Sequence, residues 1–215
     1  MHINAWWWRP RNKPWNFGDE LGAVVLKKMG YKVKRVSLKK ADWLLTGTIL
    51  DIAKEKAKKG CIVWGSGAGW LHRMDNKFRV LAVRGRLTQY NLGVDVPLGD
   101  PGLLVSRYFP KEPPKYDVGV VRHMIDVAEY PWADTVIDAS EPAEQVIKKI
   151  SQCRTICSSS LHGIIVAESY GIPNMRIHEE GVISGNFKWL DYQTSLNRPI
   201  NQIQDELVEA IRKEL

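Results

Sequence analysis

Cysteine is scarce in this sequence, and long apolar runs are absent from it. The cysteines are Cys61, Cys153 and Cys157. Their number and spacing exclude a disulfide framework and a zinc site built on cysteine pairs, so we expect reduced, buried thiols in a cytoplasmic protein. No stretch approaches the roughly 20 apolar residues of a membrane span. The apolar segment 3–8 is too short for a signal peptide and ends at Arg9 and Pro10.

Acidic residues are few in the first 60 positions. That stretch holds 14 Lys or Arg and 5 Asp or Glu, a net charge of +9, while the remainder holds 17 and 19, a net charge of −2. A solvated basic surface is the simplest interpretation, and attraction to an anionic polysaccharide or membrane surface is the alternative. Because no nucleic-acid-binding motif accompanies the charge, we expect no nucleic acid partner. Peripheral association of this basic half with a membrane stays open.

Short apolar segments alternate with amphipathic ones along the 215 residues, which predicts an α/β protein with parallel sheets. Predicted strands lie at 3–8, 33–36, 42–48, 61–64, 78–83, 117–121, 135–137, 155–157 and 175–177, and predicted helices at 16–29, 49–59, 87–92, 142–153, 161–170 and 202–215. Three prolines within 110–115 predict a linker. The expected domains are therefore 1–109 and 116–215.

The segment 155–173 is predicted to be a strand, a turn and a helix, ended by Gly171 and Pro173. Three serines follow the strand, and Ser160 is a good helix N-cap. His162 then lies in the first helical turn, where backbone N–H groups have no intrahelical partner and attract anions. A capped core helix with a merely exposed histidine explains the local pattern equally well.

Small, polar and basic residues recur where the predicted strands end. These segments are 16–19, 46–48, 65–69, 84–86, 122–123 and 158–163. Ligands of open parallel sheets bind beyond the carboxyl ends of the strands. The coincidence therefore predicts one ligand-binding region that draws on both halves of the chain.

Several of these segments also carry a family resemblance. They are Asn-Phe-Gly-Asp (16–19), Trp-Gly-Ser-Gly (64–67), Val-Arg-Gly-Arg-Leu-Thr (83–88), Gly-Asp-Pro-Gly-Leu-Leu (99–104), Asp-Val-Gly-Val-Val (117–121), Ser-Ser-Ser-Leu-His-Gly (158–163) and Phe-Lys-Trp-Leu-Asp-Tyr (187–192). In this order and spacing the chain resembles the polysaccharide pyruvyl transferase family over nearly its whole length.

The resemblance implies a fold and an activity. The implied fold has two Rossmann-like halves facing a cleft, similar to B-type glycosyltransferases, with the acceptor on 1–109 and the donor on 116–215. The implied reaction moves a pyruvyl group from phosphoenolpyruvate onto a glycan or a lipid-linked oligosaccharide as a ketal, and it releases phosphate. It implies no metal and no cofactor beyond the donor substrate.

The chemistry of this reaction suggests roles for particular residues. Arg84 is the first candidate for the fixed positive charge that the donor's carboxylate and phosphate require, with a surface cation as the alternative. His162 is the candidate acid–base catalyst. Further substrate-binding candidates are Asn16, Gly18, Asp19, Ser66, Gly67, Arg86, His123, Ser158, Ser159, Ser160, Leu161 and Gly163. Of the nine tryptophans, Trp6, Trp7, Trp8 and Trp15 either stack on sugar rings or pack in the core.

Two departures from the family pattern keep alternatives open. Many members have Arg where this chain has Ser160, and Arg86 is the candidate substitute; the chain is also short for the family. One alternative is a nucleotide-sugar glycosyltransferase, in which Glu179 and Glu180 would hold the ribose. The other is a catalytically inactive, glycan-binding relative, because a shared fold does not settle the chemistry.

Overall fold

The computed structural model of the chain describes residues 2–177 and 185–215, and its strands form two sheets. The first sheet contains β1 (His2–Trp6), β2 (Lys32–Arg35), β3 (Trp43–Leu44), β4 (Ile62–Trp64) and β5 (Arg79–Ala82), in the order β2-β1-β3-β4-β5. The second contains β6 (Tyr116–Arg122), β7 (Thr135–Asp138), β8 (Cys153–Ser158) and β9 (Asn174–Arg176), in the order β7-β6-β8-β9. All pairings are parallel, which confirms the predicted α/β class.

Helices connect and cover these strands. They are α1 (Phe17–Lys28), α2 (Leu50–Lys56), α3 (Arg86–Leu92), α4 (Val105–Tyr108), α5 (Ala143–Ser151), α6 (Leu161–Ser169), α7 (Phe187–Gln193) and α8 (Ile200–Arg212), with 3₁₀ turns at Leu38–Lys40 and Pro101–Leu104. The strand predicted at 42–48 is reduced to β3, because Gly47 leaves the extended conformation with a φ of +109°, and Thr48 then pairs with Gly67 only as an isolated bridge. Helices α4 and α7 were not predicted.

Helix α1 lies between the two sheets and is buried on nearly every side. Ten of its twelve residues are buried, and it packs against α5 and the 3₁₀ turn Pro101–Leu104. Its first residue, Phe17, donates its backbone N–H to the carbonyl of Ala139, just after β7, at 3.1 Å. The helix therefore joins the end of β1 to the far side of the cleft described below.

One apolar core spans both halves of the chain. It includes Leu21 from α1, Trp64 from β4, Val121 from β6 and Leu207 from α8, all fully buried. The Trp64 indole N–H donates to the Leu207 carbonyl at 3.1 Å, so α8 packs on the first sheet although it follows the second. The expected domain division and the similarity to B-type glycosyltransferases stay predictions.

The structure bears on two expectations from the sequence, one about the cysteines and one about membrane spans. All three cysteines are buried and carry free thiols, as predicted. Within residues 2–177 and 185–215, no helix is both long and apolar enough to cross a bilayer.

Candidate functional site

A cleft of about 330 Å³ lies where strands of both sheets end. Trp8, Thr48 and Gly69 reach it from the ends of β1, β3 and β4, and His123, Ala139 and Ser160 reach it from the ends of β6, β7 and β8. The remaining residues of its described lining are Asn16, Asp19, Asp51, Ile52, Trp70, Met124, Ile125, Leu161, His162 and Lys188. The predicted ligand-binding region at the carboxyl ends of the strands therefore forms one cleft.

His162 lies in the first turn of α6, as the sequence predicted, and lines this cleft while only 9% exposed. Its Nε2 is 3.5 Å from Oδ2 of Asp100, a fully buried carboxylate. Neither of these two atoms makes a hydrogen bond within the part of the chain that the structure describes. The other oxygen of Asp100 accepts the N–H of Gly102 at 2.8 Å. The imidazole thus faces the carboxylate of Asp100 on its buried side, and its Nε2 atom is still able to make a hydrogen bond.

Gly18 lets His162 approach the start of α1 closely. A Cβ at position 18 would lie 2.1 Å from Nδ1 and 2.6 Å from Cγ of His162, well inside van der Waals contact. The Phe17 ring meets the imidazole edge-on, with centroids 6.3 Å apart. The Asn-Phe-Gly-Asp motif therefore forms the surface on which the histidine rests, and Gly18 acts by packing.

Asp19, one residue further along α1, is a buried carboxyl group in the same cleft. It packs against Gly47, which has a φ of +109°. A Cβ at position 47 would lie 2.7 Å from Asp19 Oδ1, so glycine leaves the room that the carboxyl group occupies. Burial raises the pKa of Asp19 to about 7; the charge of His162 opposes this rise and that of Asp100 adds to it. A carboxyl group with such a pKa can both give and take a proton near neutral pH.

Positive charge and free amide groups border the cleft beside these acids. Ser160 precedes the nine-residue helix α6 without making a side-chain cap hydrogen bond. The Gly163 amide donates to the Ser160 carbonyl at 3.0 Å, which leaves the amides of Leu161 and His162 as first-turn donors for an anion. Lys188, on α7, lines the cleft and is 7% exposed. Its charge also lowers the pKa of Asp19, which shows that the two groups are neighbours. Lys188 was not predicted as a site residue, and its one signal in the sequence is its place in the 187–192 motif.

Arg84 does not belong to the described lining of the cleft. Its side chain is fully buried, and it donates from Nε to Asp191 at 2.9 Å, from Nη1 to Thr48 at 2.7 Å and from Nη2 to the Ala68 carbonyl at 2.7 Å. Asp191 also accepts the backbone N–H and the hydroxyl of Thr88, at 2.9 and 2.7 Å. The surface-cation alternative is therefore wrong. Nor does this geometry support a donor-binding role, because the guanidinium is held behind Thr48.

Among the other predicted residues, the cleft brings together Asn16, His123, Ser160 and Leu161 with Asp19 and His162. The Asn16 side chain donates to the Trp8 carbonyl at 3.2 Å and so fixes the end of β1. The backbone N–H of His123 donates to the Ser159 hydroxyl at 3.0 Å. The first contact fixes the end of β1 in the first sheet, and the second joins the ends of β6 and β8 in the second sheet.

The remaining predicted residues are not part of the described lining. The Ser66 hydroxyl donates to the Leu45 carbonyl at 2.5 Å, and the Ser158 hydroxyl donates to the Val121 carbonyl at 3.0 Å. Gly67 packs against the Arg84 guanidinium and Gly163 against Ser158. Ser159 donates to Asp126, and Arg86 starts α3 on the exposed surface. Glu179 and Glu180, which the glycosyltransferase alternative needs, lie outside the described residues.

Comparison with known proteins relates this cleft to a family. The sequence model of the polysaccharide pyruvyl transferase family matches residues 4–177. Uncharacterized protein L143 of Acanthamoeba polyphaga mimivirus is 27% identical over 199 residues, covering 82% of this chain and 69% of that protein. The succinoglycan biosynthesis protein ExoV of Rhizobium meliloti (strain 1021) is 30% identical over 198 residues, covering 84% of this chain and 61% of that protein.

The matched region contains the ends of the nine described strands β1–β9 and the first turn of α6, hence most of the cleft. It also contains both sheets, so the match is not confined to one half of the chain. The chain belongs to the polysaccharide pyruvyl transferase family.

Proposed function

We propose that this chain transfers a pyruvyl group from phosphoenolpyruvate onto two hydroxyls of a glycan or lipid-linked oligosaccharide, forming a ketal and releasing phosphate. The observation that carries the proposal is the pairing of His162 with Asp19, whose pKa is about 7, in one cleft. The name of the relative from Rhizobium meliloti adds support for a role in polysaccharide biosynthesis. The reaction would take place in the cytoplasm or at its membrane surface.

The donor carries a phosphate and a carboxylate, and the cleft offers donors for such anions. We assign the phosphate to the first-turn amides of α6 and the charge of Lys188. Lys188 lines the cleft and acts as a point charge toward phosphate, whereas Arg84 lies outside the described lining and donates from all three of its nitrogens to protein acceptors. This assignment replaces the one made from the sequence.

The proton movements follow from the two titratable groups. Protonated Asp19 gives its proton to the donor's methylene carbon, which becomes a methyl group, while the first glycan hydroxyl adds to the adjacent cationic carbon and loses its proton to His162. Phosphate then leaves with the proton from His162. The second hydroxyl adds to the carbon and returns a proton to Asp19, so both residues end as they began. Asp100, 3.5 Å from Nε2, stabilises the transient imidazolium.

A thermal-shift titration tests the donor assignment. Phosphoenolpyruvate at 100 times its dissociation constant stabilises the fold by about 2.7 kcal/mol, which raises the unfolding midpoint by several degrees. We expect this rise to be much smaller in Lys188→Ala, and unchanged in Lys32→Ala, an exposed lysine of β2. Uridine and guanosine diphosphates run in parallel. A response to a nucleotide alone would favour the glycosyltransferase alternative, and no response at all would overturn the donor assignment.

A further inference from the structure

Trp70 presents a large aromatic surface to the cleft. It follows β4, lines the same cleft as His162, and leaves 48% of its surface exposed. We propose that Trp70 is the platform on which a pyranose ring of the acceptor stacks, and that Asp51 positions the loop that carries Trp70. This inference rests on the proposed function, because the stacked ring is the one whose hydroxyls become the ketal.

The backbone around Trp70 is held by buried polar groups. Asp51 Oδ2 accepts the N–H of Gly69 at 2.6 Å, and the Asn91 side chain donates to the Trp70 carbonyl at 2.8 Å and accepts the N–H of His72 at 3.0 Å. Asn91 itself is fully buried. An exposed ring on so well anchored a loop loses little conformational freedom when a ligand covers it.

The surroundings of Trp70 match a sugar better than a lipid. A pyranose has an apolar C–H face and a rim of hydroxyls, so it needs an aromatic ring beside hydrogen-bond acceptors. Asp51 lines the cleft next to Trp70, and its Oδ1 makes no hydrogen bond within the described residues although His72 Nε2 is 3.5 Å away. A lipid chain or bilayer would instead leave Oδ1 of Asp51 without a hydrogen bond.

The location of this platform also suits the transfer. Trp70 follows β4 of the first sheet and His162 follows β8 of the second, yet both line one cleft. An acceptor ring on Trp70 would enter from the first sheet, opposite a donor bound at α6. The expectation that 1–109 is the acceptor side thereby gains a specific residue, which the sequence analysis did not single out.

The test measures the binding of methyl glucoside, methyl galactoside and methyl mannoside in the presence of phosphoenolpyruvate, by saturation-transfer NMR and calorimetry. At least one glycoside is expected to bind, with affinity falling roughly fivefold to tenfold in Trp70→Ala and largely kept in Trp70→Phe. Trp132→Ala is the matched control, because Trp132 is 53% exposed but contacts Tyr130 edge-on and is not part of the described cleft lining.

The outcomes separate this inference from the proposed function. Equal glycoside affinity in wild type and Trp70→Ala overturns the platform, as does the absence of glycoside binding while phosphoenolpyruvate still raises the unfolding midpoint. Trp70-dependent glycoside binding without any response to phosphoenolpyruvate supports the platform and overturns the donor assignment. An equal loss in Trp132→Ala would overturn the assignment to the cleft, since it would show a general effect of removing indole rings.

Discussion

Two clusters of buried charge differ in how completely their hydrogen bonds are satisfied. Around Arg84 and Asp191, both fully buried, protein groups occupy the guanidinium on all three of its nitrogens and both carboxylate oxygens. Around His162, Nε2 and the facing oxygen of Asp100 are buried without a hydrogen bond in the described residues. Neither Arg84 nor Asp191 belongs to the described lining of the cleft, whereas His162 does.

The difference indicates which charges stabilise the fold and which are available for chemistry. The charged atoms of such a buried ion pair are already held by protein groups, and removing one partner leaves an uncompensated charge. A buried group without its partner raises the free energy of the folded protein until a ligand supplies the missing contact. The number of protein partners therefore distinguishes Arg84, which stabilises the fold, from His162, which is available for chemistry. Both residues belong to family motifs, so the motifs alone do not make this distinction.

The largest expected effect is on turnover, in His162→Ala. Removing a general acid–base group lowers the rate by roughly 10²–10⁴-fold, whereas the fold should persist because no hydrogen bond to Nε2 is lost. Phosphate release from phosphoenolpyruvate and acceptor measures the rate, and circular dichroism checks the fold. His2→Ala, at an exposed position of β1, is the control. Full activity in His162→Ala would show that the unsatisfied cluster does not take part in the reaction.

Arg84→Ala is expected to damage stability more than any specific step of the reaction. Removing one partner of a buried ion pair costs about 3–5 kcal/mol, and Asp191 would be left charged between α3 and α7. Urea denaturation measures the loss. Arg86→Ala, two residues along and exposed, should stay within about 0.5 kcal/mol of wild type. An Arg84→Ala protein as stable as wild type but unable to bind phosphoenolpyruvate would reverse our assignment.

The raised pKa of Asp19 predicts that this group stabilises the fold at low pH, opposite to a carboxyl group whose pKa is lowered by folding. The folded protein holds this proton up to about pH 7, whereas the unfolded chain releases it near its ordinary pKa of 3.8. Because the folded state binds more protons between these values, stability falls as the pH rises from 4 to 7 and levels off above 7. The loss amounts to at most about 4 kcal/mol.

Asp19→Asn should remove this fall, so that the variant is more stable than wild type at pH 8 and similar at pH 4. Denaturant midpoints across this range measure the effect, and Asp75→Asn, at an exposed site, should keep the wild-type profile. An Asp19→Asn protein with an unchanged pH profile would mean that Asp19 is ionised in the fold like an ordinary carboxylate.

The smallest expected effect comes from Gly18→Ala, which tests how His162 is seated. The added methyl group would overlap the imidazole and cost about 1–3 kcal/mol through overpacking. Gly22→Ala, in the same helix, would instead press on Leu45, with a Cβ contact of 2.7 Å, and should cost a similar amount. Only Gly18→Ala should also lower turnover at a temperature where both variants are folded.

The sequence predicted the elements of the fold better than their packing. Parallel strands and the place of His162 followed from local apolar patterns and capping residues, which depend on near neighbours. The position of α8 on the first sheet depends on contacts such as Trp64 to Leu207, 143 residues apart, which no local pattern reveals. The α7 segment was recognised as a motif but not as a helix, and Lys188 was missed with it.

The same limit applied to the site. Arg84 and His162 both follow strand ends within family motifs, and no local pattern indicates that Arg84 donates to three protein acceptors. Asp51 and Trp70 were not predicted as site residues, because their hydrogen-bond partners are not near them in sequence. Asp51 accepts from Gly69, 18 residues away, and the Trp70 carbonyl accepts from Asn91, 21 residues away. Burial and pairing are properties of the folded state, and they decided these assignments.

The position of α8 also constrains the order in which the chain can acquire its structure during synthesis. Its apolar face, with Ile203, Leu207 and Ile211 fully buried, covers the first sheet beside β5, and the 3₁₀ turn Pro101–Leu104 packs on it as well. The ribosome must therefore have made residues 200–212 before this side of β4 and β5 is covered. The nascent first half exposes apolar surface until then, so its survival in the cell depends on how quickly the remainder is translated or on a chaperone that shields it.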